Sequence, residues 1–191
     1  MIFYILLLTF ISIRISYDKY INDEYKKKNI AKYNIRYSSK ITSFTNLLFT
    51  IYLALKLFGN LDISENIYNI LLPNIIVMST FFWIFLAPKC NNNQLFNFTN
   101  LYLHLFSCLF ILLEHFDNPE KFKPDYFSNL VWILFGSILI YSYNCISQKK
   151  MYGLLNLKPG KNFTYNYFFL YLVSLICLIY LLDRFRPTAF N

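Results

Sequence analysis

Apolar residues in this chain come in long runs, not at every third or fourth position of an amphipathic helix or at the alternate positions of a half-buried strand. The runs cover 1–16, 41–59, 67–88, 95–116, 126–143 and 163–182. A helix needs about 20 consecutive apolar residues to cross a bilayer. The pattern therefore predicts an all-α chain: a polytopic membrane protein built as a bundle of about six transmembrane helices, with residues 1–191 forming one six-span domain. The first run lacks a basic leading segment and a small-residue cleavage site, which predicts an uncleaved anchor and not a signal peptide. A proline at position 73 falls early in the third run. Inside a membrane such a proline is tolerated where neighbouring helices satisfy the backbone groups it frees.

Composition strengthens this picture. Of 191 residues, 57% are hydrophobic and only 15% are charged, against about a quarter charged in an ordinary soluble domain. Six crossings and their loops leave no length for a separate soluble domain. A net charge of +8 raises nucleic-acid binding as an idea, but the basic residues sit between the apolar runs, where membrane topology accounts for them. Thirteen of the 18 Lys and Arg residues lie in the segments after the first, third and fifth runs, or at their edges, and four lie on the other side. That asymmetry predicts cytoplasmic odd-numbered loops, with both termini exoplasmic or lumenal. The "NFT" sequons at 97–99 and 162–164 then face the cytoplasm and are expected to stay unmodified. No sorting signal is legible, and an endomembrane such as the endoplasmic reticulum is the expected location, with the plasma membrane as the alternative. The four cysteines (Cys90, Cys108, Cys145, Cys177) have neither C-x-x-C spacing nor a histidine at metal-ligand intervals, so no metal and no cofactor is expected.

Ionisable residues inside membrane helices are costly, and each is a candidate for function. Here they are Arg14, Lys56, His104 and Glu114. Arg14, Lys56 and Glu114 lie near helix ends, where a long side chain snorkels to the interface, and that is the expectation for all three. His104 lies deeper, about nine residues into the fourth run, with Asn100 and Ser107 on the same face of an ideal α-helix. A histidine gains chemical meaning when a hydroxyl nucleophile can reach it. The second run opens with "KITSFTNLLF", which carries Thr42, Ser43 and Thr45. The second and fourth runs both enter from the same side in the predicted topology, which places Ser43 and His104 in the same half of the membrane.

Spacing adds a resemblance. Lys40, Ser43 and Asn46 in "KITSFTNLL", Pro73 followed ten residues later by Trp83 of the Phe82–Trp83 pair, and Asn100, His104 and Glu114 occur in this order. The set resembles the androgen-induced protein family, multi-span membrane hydrolases that cleave fatty-acid esters of hydroxy fatty acids with a threonine and a histidine. The resemblance covers about residues 36–155. Serine stands at the nucleophile position in place of threonine, which keeps the hydroxyl. Leu101 replaces a second histidine and Leu109 a proline, and a G-x-W-x-Y-P motif survives at most as Tyr152. The resemblance implies a lipid-ester substrate, with Ser43 as nucleophile, His104 as general base, and Asn46 and Asn100 in support. The competing expectation is a non-catalytic scaffold, assembly or small transport component whose polar residues bind helix to helix.

Overall fold

Apolar runs of this length leave the backbone one economical way to satisfy its hydrogen bonds, and in a computed structural model they become helices. The structure describes residues 2–24, 41–89, 96, 98–147 and 162–185; the basic segments 25–40 and 148–161, including Lys40 and Tyr152, and the sequon residue Asn97 lie outside the described residues. Among the described residues there is helix and no strand. Six helices follow in order: α1 (Ile2–Glu24), α2 (Ile41–Leu57), α3 (Leu61–Phe81), α4 (98–117), α5 (Tyr126–Ser147) and α6 (Asn162–Arg184). α3 runs on through a π-helical segment, Phe82–Leu86, and a 3-10 turn, Ala87–Lys89. α4 carries a second π-helical segment, Tyr102–Phe106, between two α-helical parts.

Helix ends depart from the apolar runs where polar residues can still wind. α1 continues to Glu24, past the expected end at 16, and α3 starts at Leu61, six residues before the run at 67. Its first turn carries Asp62, an acid placed well against the positive end of the helix dipole. α2 stops because Gly59 adopts a left-handed φ of 78°. Asn60 N donates to Leu55 O at 3.0 Å and Gly59 N to Lys56 O at 3.4 Å, the paired closure that ends a helix at a glycine.

α3 is central and packs against α2, α4, α5 and α6. The core joins Phe49 and Leu53 of α2, Leu71, Leu72 and Ile75 of α3, Ile111 of α4, and Leu175 and Ile179 of α6, all at 1% exposure or less. Pro73 sits inside α3 and has no N–H for the carbonyl of Asn69, one turn back. Asn129 of α5 supplies the missing donor: its Nδ2 reaches Asn69 O at 3.0 Å. The same side chain accepts from Asn74 Nδ2 at 2.7 Å. This is the neighbour-helix compensation that the proline calls for. Asn129→Leu is expected to cost about 1–3 kcal/mol in thermal unfolding. Pro73→Ala should recover part of that loss, because the restored N–H reaches Asn69 O. No recovery in the double mutant would mean that Asn129 acts by packing alone.

The outer faces are apolar. α5 presents Phe127, Leu130, Val131, Leu134, Phe135 and Ile138, spaced as one helical stripe and between 42% and 76% exposed. Asn46, Asn74 and Asn129 are at 1% or less. By length and composition, 61–85 is the one helix among the described residues long and apolar enough to cross a membrane; Ile5–Arg14, Phe44–Leu57 and Tyr126–Ile138 are shorter apolar helices.

Candidate functional site

The two π-helical segments meet. Each inserts an extra residue into its helix, a distortion found often at functional sites. Phe82 from the first lies flat on the His104 ring from the second, with centroids 3.7 Å apart and planes 3° from parallel. The next residue, Trp83, donates its indole N–H to His104 O at 3.3 Å. The Phe82–Trp83 pair thus grips one residue at both ends, ring on ring and indole on carbonyl.

Other helices hold the same stretch. Tyr102 is hydrogen-bonded to Thr9 at 2.8 Å and donates to Ile5 O at 2.9 Å, which ties α4 to α1. Asn46 Nδ2 donates to Thr42 O at 2.8 Å and reaches Leu103 O at 3.5 Å, which ties α4 to α2. Two carbonyls facing one amide nitrogen fix which end of the Asn46 amide is the donor. His104 itself is 5% exposed, and its Nδ1 has no hydrogen-bond partner among the described residues; neither has Asn46 Oδ1. Both are buried polar atoms able to accept from a donor. For histidine this holds with the ring proton on Nε2.

The expected site residues fall as follows. Ser43 lies in the first turn of α2, one turn before Asn46; its side chain is outside the described residues. Its neighbour Phe44 stacks on Trp132 of α5 at 3.8 Å and lies over Gly136. The backbone at 43 is therefore pinned between a contact to α5 and a contact to the His104 stretch. Asn100 is half-buried in the α-helical part of α4, Phe98–Leu101. The π segment Tyr102–Phe106 falls between Asn100 and Ser107 and changes the α-helical spacing on which their shared face with His104 was read. Ser107 donates instead to Leu103 O at 2.9 Å. Among the described residues, no group of three or more His, Cys, Asp or Glu is placed to hold a metal ion.

The far half of the bundle overturns the expectation of snorkelling for Lys56 and Glu114. Their side chains turn inward and form an ion pair, with Glu114 7% and Lys56 23% exposed. Lys56 Nζ also reaches Tyr52 Oη at 3.5 Å. Beside the pair, Tyr68 Oη and His115 Nδ1 are hydrogen-bonded at 3.3 Å. Sequence reasoning passed over His115. Its position next to Glu114, eleven residues after His104, was the available signal. With Asn46 touching Leu103 and Lys56 touching Glu114, α2 and α4 run parallel along their length.

No family model, curated protein or solved structure matches the chain.

Proposed function

We propose that this chain is a multi-pass membrane protein that hydrolyses lipid esters with Ser43 as nucleophile and His104 as general base. The observation that carries the reading is the state of His104: a buried imidazole stacked on Phe82, its carbonyl held by Trp83, with Nδ1 unengaged among the described residues and the adjoining Leu103 docked on Asn46, one turn from Ser43. His115, by contrast, has its Nδ1 engaged by Tyr68. The outward apolar stripes and inward asparagines support the membrane location, because that distribution fits a hydrocarbon solvent outside the bundle. An endomembrane such as the endoplasmic reticulum remains the proposed location.

In the first step His104 takes the Ser43 hydroxyl proton as Oγ bonds the ester carbonyl carbon and negative charge moves to the carbonyl oxygen. The tetrahedral species collapses, the alkoxide leaves, and His104 returns the proton to it as an alcohol. Water then attacks the acyl-serine by the same proton transfers, releasing a carboxylic acid and free Ser43. Asn46 serves by holding the Leu103–His104 peptide, and no cofactor enters.

A fluorophosphonate probe tests this in the full-length protein in nanodiscs. Labelling in wild type that disappears in Ser43→Ala is the expected result. An unlabelled wild type, or a label that survives Ser43→Ala, sinks the hydrolase. A second reading, a non-catalytic scaffold, has its own support in the side-chain bonds that join helices, Asn74 to Asn129 and Thr9 to Tyr102. An unlabelled wild type would favour it.

A further inference from the structure

A histidine base that takes a proton becomes a cation, and a Ser/His pair ordinarily sets a carboxylate against that charge. Among the described residues none is in place. Glu114 is the one buried carboxylate among the described residues, it is committed to Lys56, and ten residues of helix put it about 15 Å along the axis. What His104 does have is an aromatic face in full contact, Phe82 at 3.7 Å and 3°.

We propose that the ring face of Phe82 does for His104 what the acid does in a triad: it stabilises the imidazolium formed when the base takes the nucleophile's proton. This rests on the hydrolase reading. The face of a benzene ring is the negative pole of its quadrupole, and a cation within about 6 Å of the centroid is attracted to it, most strongly where water is excluded. Both rings are buried, Phe82 at 6% and His104 at 5% exposure. The indole of Trp83 fixes the His104 carbonyl, so the backbone of the π segment holds the imidazole parallel to the phenyl ring. Neutral imidazole gains little from this face and imidazolium gains more. The contact therefore favours the transition state over the resting state, the condition for raising a rate. Phe82 acts through the His104 ring and neither gives nor takes a proton, so it is a positioning and charge-stabilising residue. It also gives the second π-helical segment a purpose: the extra residue in each helix brings position 82 over position 104.

Mono-, di- and trifluorinated phenylalanine at position 82 test the proposal, because fluorine drains the ring face and leaves its shape nearly unchanged. The rate constant for fluorophosphonate labelling is expected to fall stepwise with each fluorine, by roughly 5- to 30-fold over the series. Reversible affinity for the probe should stay level. A flat series in a protein that labels would overturn this role and leave the hydrolase standing, since a ring that only packs is blind to fluorine. An unlabelled wild type overturns both. Fluorine NMR checks the stack itself: the signal from position 82 must move in His104→Ala, and an unmoved signal also overturns the proposal.

Discussion

His104→Ala is expected to slow fluorophosphonate labelling by ~10²- to 10⁴-fold, the range in which a positioned general base contributes. The loss should fall on the chemical step, since the serine hydroxyl remains and its proposed base is gone. The chain carries a built-in control, because it has two histidines and both are buried. His115 sits in the other half of α4 with Nδ1 engaged by Tyr68. His115→Ala should therefore leave the labelling rate unchanged. Equal losses in the two variants would point to general destabilisation and remove the base from His104. Thermal unfolding of each variant separates the two cases, for a folded and unreactive His104→Ala is the outcome the reading demands.

Lys56→Met should be the most destabilising of the single changes considered. Removing the cation strands the Glu114 carboxylate at 7% exposure, and breaking a buried pair costs about 3–5 kcal/mol. Lys56 keeps 23% exposure, so the lower end of that range applies. The physical content lies in the asymmetry. Glu114→Gln leaves a lysine whose stem can swing its charge toward solvent, and it should cost less. Lys56→Met combined with Glu114→Leu should recover most of the loss, because two apolar side chains carry no desolvation penalty. Unfolding midpoints in nanodiscs decide it; a double mutant no better than Lys56→Met would show that packing around the pair, and not its charge, carries the stability.

Hydropathy placed the helices well and their contents poorly, for one reason. A long apolar run identifies a helix because few other structures satisfy its backbone, and among the described residues a helix lies in each of the six runs. The same run says nothing of which face meets which neighbour. Lys56 and Glu114 sit near helix ends, so each alone fits snorkelling; only the parallel packing of α2 and α4 shows that they face each other. The π segments were invisible because "FWIFL" and "YLHLF" read as ordinary apolar helix. Their register shift also changes the α-helical spacing that grouped Asn100 with His104 and Ser107. Proline was the exception. A missing N–H is a property of the residue, so compensation at Pro73 could be expected from the sequence, although Asn129 as its source could not. The Ser43–His104 pairing rests on ordered spacing and on the contact of Asn46 with Leu103.

The bond from Asn129 to Asn69 also imposes an order in time. Sixty residues separate donor and acceptor, and a ribosome adding ~5–20 residues per second needs roughly 3–12 s to make them. During that interval the third helix already carries its proline and its open carbonyl, and the side chain that will close it has not been synthesised. The third helix thus forms with that carbonyl still lacking its donor. It is completed only when the fifth arrives beside it, so the chain's centre is finished late although it is made early.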